Sequence, residues 1–521
     1  MFKLSVHQFL YKGMAALFVF AFVLGASGVQ VAKAASLTVT NLDDSGPGSL
    51  RQAVADAQPG DTITFDPALS GGTISLIEPI NINRDLTILG PGADQLAISG
   101  SQSFAVFDVN SYVPPYWSIV TATIEGLTIR DNNFLPLPAI EITPDSILTV
   151  NNSTFSNNSV GIYNNVGTLT VNNSTFNNNA TSISNNGMLT VNNSTFNGNV
   201  STISLGGGIA NSNTAVVNNS IFSNNSADKG GGIYNEEMLT VNNSTFSNNS
   251  ANNGGGIYNE LFAFNVTINN STFSNNSADS GGGIYGRGPI TFKNTLIVNS
   301  TSGGNCKFDS SFGGGIHNVA GVNFADDNTC PGFTQVTSAQ LNLGSLADNG
   351  GPTQTIALLP GSVAIDAALD CTDYNGSMLA TDQRGVARPQ GAACDVGAFE
   401  LEQRAPFNFS GFFQPVDNLP TLNTVKAGQG VPVKFGLGGD QGLAVFAEGY
   451  PISQQVACAS GLPVDDIEQT VAAGGSSLSY DPATQTYTYV WKTNSGWKGQ
   501  CRTLIVKLSD GTEHLANFKF K

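Results

Sequence analysis

The sequence predicts an all-β protein in which a parallel β-helix is followed by a small antiparallel β-sandwich. The first indication is a phrase that reads LTVNNSTFSNN at Leu148–Asn158 and recurs in near-copies. Its phenylalanines lie 20 to 27 residues apart, at Phe155, Phe176, Phe196, Phe222, Phe246 and Phe273. The second indication is a phrase close to GGGIYN, which begins at Gly206, Gly230, Gly254, Gly281 and Gly313. The third is the C-terminal part of the chain, where both phrases give way to ordinary strand-like alternation.

A repeat of about 20–29 residues is typical of solenoids, in which each unit is stable only when stacked on its neighbours. Leu239 and Val241 alternate around Thr240, which is the spacing of a strand with one buried face. Asn-Asn pairs and glycine triplets tolerate the backbone of sharp corners. We therefore expect three short strands per coil, with equivalent residues about 4.8 Å apart along the axis. Stacked phenylalanines would fill the interior, and stacked asparagines would share amide hydrogen bonds along the corners.

Composition and the first residues indicate a protein outside the cytoplasm. Only 11% of the 521 residues are charged, and the formal net charge of −17 excludes the basic surface of a nucleic-acid-binding protein. Met1–Ala34 has the features of a secretory signal, with an uncleaved membrane anchor as the alternative. Its removal takes away three lysines and gives a net charge of −17 − 3 = −20. No other stretch is long and apolar enough to span a membrane, so we expect a monomer that is secreted, extracellular or at the cell surface.

The six cysteines fall into three close pairs. Because their number is even and a signal-like segment precedes them, we expect disulfide bonds formed in an oxidising compartment. Fifteen pairings are possible in principle, and the metal-binding alternative has neither a CxxC motif nor a supply of histidines. The predicted bonds join Cys306 to Cys330, Cys371 to Cys394 and Cys458 to Cys501.

The beginning of the β-helix has its own sequence features. Ser49 and Gln52 form a capping-box pattern, which predicts a short helix over about residues 49–57 that covers the first coil. The surrounding segment, VTNLDDSGPGSLRQAVADAQPGDTITF, resembles the amino-terminal segment of secreted bacterial right-handed parallel β-helix proteins. This resemblance implies a right-handed β-helix, which we assign to residues 35–345, with regular repeats over about 148–318.

A loop with aromatic residues and two prolines interrupts the irregular coils that follow. Because loops carry function more often than walls do, Tyr112, Tyr116 and Trp117 are candidate ligand-binding residues. The alternative is a flap that only packs locally.

The repeats also resemble a known family. FSNN at Phe155, Phe222, Phe246 and Phe273 and the GGGI phrase are similar to the repeats of the chlamydial polymorphic outer-membrane proteins. Those proteins are surface autotransporters with a β-helical passenger, so the resemblance implies a surface protein.

Two further modules follow the repeats. GGPTQTIALLPGSVAIDAA and TDQRGVARPQGAACDVGAFEL resemble the choice-of-anchor Q module, which we assign to residues 346–402. That resemblance implies attachment to the cell envelope, and we expect the segment to close the C-terminal end of the β-helix. After a linker at 403–410, residues 411–521 resemble the PxKF module in the run Pro432-Val433-Lys434-Phe435. The turn Ser509–Thr512 predicts a hairpin within it.

Enzymes on parallel β-helices need acidic residues at matching positions of neighbouring coils. Glu236 and Glu260 satisfy this condition and form the candidate catalytic pair, with a solvated loop as the alternative. Arg287 and Lys293 are the nearest bases, and neither repeats. His317 takes the position of the repeated tyrosine in its GGGIHN phrase, which indicates a wall residue without a catalytic role.

A denser group of charges lies in the segment 346–402. Asp366, Asp382 and Asp395 are candidate Ca²⁺ ligands, because carboxylate oxygens near glycine turns suit that ion. The alternative is a set of internal ion pairs with Arg384 and Arg388. We predict no other cofactor.

These features favour a non-enzymatic scaffold at the cell surface or outside the cell, used for adhesion or for contact with glycans or the cell envelope. One alternative is a polysaccharide lyase or glycoside hydrolase with its site on the β-helix wall. The other is a structural spacer.

Overall fold

The computed structural model describes residues 35–101, 105–113, 116–117, 119–132, 137–201, 205–261, 263, 266–309, 317–402, 406–447, 449–458, 462–472 and 478–521. The predicted signal segment therefore lies outside the described residues. The fold is all-β, with a parallel β-helix followed by antiparallel sheets, as the sequence predicts. The described residues form two compact units, one within Met1–Thr175 and Asn186–Met188 and the other within Phe176–Asn185 and Leu189–Lys521.

Unit 1 contains the irregular coils and the first regular repeats, whose strands form three parallel walls named A, B and C here. Wall A contains Ser36–Val39, Asp61–Phe65, Leu86–Leu89, Val120–Glu125, Ser146–Asn151 and Thr168–Asn172. Wall B contains Gly72–Ser75, Leu96–Ser99, Thr128–Arg130 and Thr154–Ser156. Wall C contains Ile80–Ile82, Phe107–Val109, Pro138–Ile142 and Val160–Asn164. A two-stranded hairpin pairs Tyr112–Val113 with Tyr116–Trp117.

Unit 2 contains the remaining regular coils, and its three walls are named by the same letters. Wall A contains Met188–Asn192, Thr214–Asn218, Met238–Asn242, Val266–Asn269, Ile290–Lys293 and His317–Ala320. Wall B contains Thr175–Asn177, Thr195–Asn197, Ile221–Ser223, Thr245–Ser247, Thr272–Ser274, Leu296–Val298, Phe324–Ala325 and Thr334–Gln335. Wall C contains Thr181–Asn185, Ile209–Asn211, Ile233–Asn235, Ile257–Asn259, Ile284–Gly286 and Cys306–Phe308. A fourth, three-stranded sheet contains Ser226–Lys229, Ser250–Asn253 and Ser277–Ser280.

The repeated phenylalanines form the predicted ladder inside unit 2. Phe222, Phe246 and Phe273 are fully buried, and their rings stack in parallel at centroid distances of 4.7 and 4.5 Å. Asparagines form ladders of amide hydrogen bonds, as in the chain of Asn225 to Asn249 and Asn249 to Asn276 at 2.9 Å. Burial of the aromatic faces drives stacking, and the amide bonds satisfy the polar groups that stacking buries.

Asparagine and glycine occupy the corners for the predicted conformational reason. Asn219, Asn243 and Asn270 have φ angles of 51, 46 and 45°, in the left-handed region that asparagine tolerates. In the glycine phrase, Gly230 has φ of 65°, and a Cβ on Gly231 would approach the Ser250 carbonyl oxygen to 2.4 Å. Larger residues at these corners would therefore separate adjacent coils.

The segment after the β-helix packs along the side of wall B. It contains the helix Ser338–Leu341 and the antiparallel strands Leu343–Ala347 and Thr355–Leu358. Leu296 and Val298 occupy the register positions that Thr272 and Ser274 have in the preceding coil. They join Phe324 in a core cluster with residues of this segment. Its contacts extend back to the Asn219 carbonyl oxygen, which accepts a 3.2 Å hydrogen bond from Thr353. The segment is thus not confined to the C-terminal end of the β-helix.

The C-terminal domain is a sandwich of two five-stranded sheets. One contains Phe412–Phe413, Gly430–Phe435, Val471–Ala472, Ser479–Asp481 and Thr486–Lys492, and the other contains Leu422–Val425, Ile452–Val456, Pro463–Gln469, Cys501–Lys507 and Glu513–Phe520. Phe435, Tyr487 and Trp491 are fully buried between the sheets. The predicted hairpin is present, with Lys507 opposite Glu513. One pair departs from the antiparallel expectation, because Leu422–Val425 runs parallel to the last strand.

The three predicted disulfides are confirmed. The Cα–Cα distances are 5.0 Å for Cys306–Cys330, 5.6 Å for Cys371–Cys394 and 5.2 Å for Cys458–Cys501.

The capping-box prediction is half right. The α-helix spans Leu50–Asp56, and the Ser49 hydroxyl accepts a 3.2 Å hydrogen bond from the Gln52 amide. The Gln52 side chain does not return to Ser49 but donates to Asp56 at 2.8 Å. The Ser49 amide, which a capping box would direct at the Gln52 side-chain oxygen, donates instead to the Gly46 carbonyl oxygen at 3.1 Å, so Ser49 caps alone.

His317 lies on a wall strand, as predicted, but it does not take the position of the repeated tyrosine. Lys307 is the register partner of Tyr285 on wall C, whereas His317 begins a wall A strand opposite Ile290. The wall C strand of this coil, Cys306–Phe308, precedes His317, so His317 is not the register equivalent of the tyrosines. The His317 ring stacks on Phe308 at 4.5 Å.

Candidate functional site

A groove of about 410 Å³ lies on the outer face of wall A in unit 2. Its floor is a ladder of Thr240, Thr267, Thr291 and Asn318, which are register partners in successive coils. The Thr267 hydroxyl donates to Thr240 at 3.3 Å, and the Asn318 amide donates to Thr291 at 3.5 Å. Tyr374, whose surface is 46% exposed, forms one side. The groove therefore combines hydroxyls, an amide and an accessible aromatic ring.

Residues 370–381, called the strap here, lie against wall A and form this side of the groove. Asp370 pairs with Lys293 at 2.8 Å, and the Lys293 ammonium also donates to Thr372 at 2.6 Å. The Tyr374 amide donates to the Asn269 side chain at 3.0 Å. The Cys371–Cys394 disulfide fixes the start of the strap. These bonds position Tyr374 before any ligand arrives.

A second groove of about 300 Å³ lies beside the end of the strap, at Met378–Thr381. Its floor is a ladder of asparagines, in which Asn242 donates to Asn218 and Asn218 donates to Asn192, each at 2.9 Å. Met378 and Thr381 of the strap form its rim. Amide groups aligned in this way offer both donors and acceptors to a polar ligand.

The tyrosines of the glycine phrase form a third feature, on the outer face of wall C. Tyr258 stacks between Tyr234 and Tyr285 at centroid distances of 5.6 and 5.1 Å. Tyr234 and Tyr258 are only 4% and 3% exposed. The Lys229 ammonium lies over the Tyr258 ring, 4.9 Å from its centroid. Arg287 follows Tyr285 by two residues in the next coil. This cluster is thus a covered aromatic stack under charged side chains.

The predicted catalytic pair belongs to this cluster. Glu236 and Glu260 occupy equivalent positions one coil apart, as predicted, and each accepts a hydrogen bond from the tyrosine two residues earlier, at 2.9 and 3.3 Å. Glu260 also pairs with Lys229 at 3.1 Å and with Arg287 at 2.9 Å. Burial raises the pKa of Glu260, but the bonds from Lys229, the Leu261 amide and Arg287 outweigh it and leave this pKa below its ordinary value. A carboxylate held ionised between two cations is a poor general acid.

Sequence reasoning missed another carboxylate pair, on wall C of unit 1. Asp108 and Glu141 are register partners in adjacent coils, with Asn81 and Tyr163 in the flanking coils. Burial raises the pKa of Asp108, and burial together with the Asp108 charge raises the pKa of Glu141. Among the described residues, Asp108 Oδ1 is buried without a hydrogen-bond partner. The sequence signal was weak because the irregular coils share no phrase that aligns the two residues.

The predicted Ca²⁺ ligands lie in a network of internal bonds. Asp382 pairs with Arg384 at 2.8 Å and accepts from its backbone amide, also at 2.8 Å. Asp395 accepts from the backbone amides of Asp366 and Leu401 at 2.8 and 2.6 Å.

The same network contains a fully buried ion pair, between Arg388 and Glu400 at 3.0 Å. In the part of the chain that the structure describes, no group of three or more His, Cys, Asp or Glu side chains is placed to hold a metal ion. These contacts favour the ion-pair interpretation of the segment.

The candidate ligand-binding residues Tyr112, Tyr116 and Trp117 lie on the hairpin of unit 1. Tyr112 is opposite Trp117 in the backbone pairing, and Val113 is opposite Tyr116. The hairpin leaves wall C directly after the strand that carries Asp108.

Comparison with known proteins supports the repeat assignment. A family model described as the Chlamydia polymorphic membrane protein repeat matches residues 219–236, 243–260 and 270–287. The three matches end at Glu236, Glu260 and Arg287, so each contains one tyrosine of the wall C stack and at least one of its charged side chains. No curated protein matches the chain significantly.

A solved structure of a mannuronic acid-specific polysaccharide family 6 lyase from human gut microbiota is similar to this chain. The similarity covers 58% of this chain and 91% of that chain, at 9% identity and a TM-score of 0.29, which is too low to support an argument about function. Among the described residues, no helix has the length and apolar character needed to cross a membrane.

Proposed function

We propose that this protein is a surface-exposed β-helical scaffold that binds glycan chains of a cell envelope or matrix through the outer face of wall A. The observation that supports it most directly is the groove of about 410 Å³ beside Tyr374, on a floor of aligned hydroxyl and amide groups. Hydroxyl and amide groups match the hydrogen-bonding pattern of sugars, and an exposed aromatic ring packs on their apolar faces.

Display at the surface is supported by two observations. Three copies of the polymorphic membrane protein repeat are present, and three disulfides stabilise the C-terminal half in a manner typical of oxidising compartments. We further propose that residues 346–402 contribute to envelope attachment, as their resemblance to the choice-of-anchor Q module implies.

Retention of soluble polysaccharides by the immobilised protein tests this function. We expect wild-type protein to retain at least one class of glycan and Tyr374→Ala to lose most of that retention, because the substitution removes one side of the groove. Leu369→Ala is the matched control, since Leu369 is 85% exposed beside the strap and lines neither groove. Equal retention by both variants and the wild type would refute the assignment to this groove. A complete lack of glycan retention would favour the spacer hypothesis.

Polysaccharide cleavage is the second candidate function, and Asp108 with Glu141 favours it. Glycoside hydrolysis uses two carboxyl groups near each other, and Asp108 and Glu141 are register partners on adjacent strands; the raised pKa of each favours the protonated form that a general acid needs. Incubation with a polysaccharide panel followed by a reducing-end assay tests it. Cleavage that is abolished by Asp108→Asn and unaffected by Glu236→Gln would establish this function. Absence of cleavage products with every polysaccharide of the panel would count against it.

A further inference from the structure

Both grooves of wall A run along the axis of the β-helix. The floor residues Thr267 and Thr291 come from successive coils, as do Asn218 and Asn242 in the second groove. Successive coils are about 4.8 Å apart. The floor therefore presents the same chemical group at a fixed interval along the axis, and this interval is close to the length of one sugar unit in an extended chain.

The charges around the grooves disfavour an acidic ligand. None of the described residues that line either groove is charged. Lys293, the cation bound to the strap, has a side chain that is 10% exposed and is bonded to Asp370, Thr372 and the Asp373 carbonyl oxygen. The Asp370 side chain is 54% exposed, and the hydrogen bond from Lys293 holds its pKa at about 2, so the rim keeps a negative charge. A polyanion would meet this charge without finding an available counter-ion.

We propose, on the basis of the function proposed above, that the ligand is an uncharged polysaccharide bound as an extended chain parallel to the β-helix axis, with successive sugar units over successive coils. Thr240, Thr267 and Thr291 hydrogen-bond to its hydroxyls, and Tyr374 packs against one ring face. Its affinity rises with chain length until the ligand covers the floor ladder.

Calorimetric titration of the full chain with two sets of oligosaccharides tests the inference. The uncharged set contains cello-, xylo- and manno-oligosaccharides of two to six units, and the acidic set contains oligogalacturonates and hyaluronan fragments of the same lengths. We expect binding to at least one uncharged series, with affinity that increases from two to about four units and then levels off, because the floor ladder spans four coils. Thr267→Val should weaken binding by about 2- to 10-fold, the effect of one hydrogen bond.

Thr170→Val is the matched control, because Thr170 occupies the same position of the phrase and lines neither groove. Binding of the acidic series alone would overturn the inference but leave glycan binding by the scaffold in place. Affinity that does not change beyond two units would overturn the axial orientation. Absence of binding to both series would overturn the proposed function itself.

Discussion

The phenylalanine ladder provides the most direct test of the fold. The Phe246 ring stacks between those of Phe222 and Phe273, at centroid distances of 4.7 and 4.5 Å. Its side chain is 0% exposed to solvent. Phe246→Ala removes the ring from an interior that cannot collapse, because hydrogen-bonded strands hold the coils at a fixed spacing. Such substitutions cost about 3–5 kcal/mol, and each lost ring pair contributes about 0.5–1.5 kcal/mol within that range.

Denaturation monitored by two signals separates this effect from the rest of the chain. Far-ultraviolet circular dichroism follows the β-helix, whereas tryptophan fluorescence reports mainly on the sandwich, which contains Trp491 and Trp497 of the three tryptophans. We expect Phe246→Ala to lower the unfolding free energy of the β-helix, followed by circular dichroism, by about 3–5 kcal/mol. The unfolding free energy of the sandwich, followed by fluorescence, should not change. A change below about 1 kcal/mol would refute the assignment of the ladder to a packed interior.

Three further predictions concern the charged residues and the strap. Burial raises the Asp395 pKa to about 6 from 3.8, so the folded state binds this proton more tightly than the unfolded chain. The contribution of Asp395 is therefore full below about pH 4 and is lost as the pH rises to about 6. Unfolding free energies measured from pH 4 to 7 should decline less in Asp395→Asn than in the wild type, and parallel profiles would contradict this. Glu260→Gln should lower the unfolding free energy by about 1 kcal/mol or less, with a smaller effect in high salt, when measured in urea; an effect that does not depend on salt would exclude the ionic origin. Replacing Cys371 and Cys394 by serine should release the strap and reduce glycan retention without unfolding the β-helix, as followed by retention and circular dichroism, and unchanged retention would show that the remaining strap contacts suffice.

Much of the fold could be predicted because its causes are local and repeated. The phenylalanine interval determines the coil length, and the asparagine pairs determine the corners, as in the left-handed backbone at Asn243. The cysteine pairs could be predicted because each is close in sequence. His317 could not be placed, since a repeated phrase fixes its wall only while every coil keeps the same length.

The candidate site was less predictable because it depends on contacts distant in sequence. The Tyr374 groove combines a strap with coils that precede it by more than fifty residues, and no phrase in either segment indicates that they meet. The pairing of Asp108 with Glu141 depends on coils of unequal length. Glu236 and Glu260 were found because the repeat aligns them, but only the structure shows that Lys229 and Arg287 neutralise Glu260.

Apolar and polar contacts on wall B together hold the segment that carries the strap. Thr272 and Ser274 face outward in one coil, and Leu296 and Val298 replace them in the next. Leu296 and Val298 pack in an apolar cluster with residues of this segment, whereas the buried polar positions of earlier coils hydrogen-bond to it, as when Thr272 accepts from the Ala398 amide at 3.0 Å. Both kinds of contact hold residues 338–402 along wall B. The strap is then held beside the threonine ladder of wall A. The regular phrase therefore supplies a uniform hydrogen-bonding surface, and the segment packed on wall B determines where on that surface a groove forms.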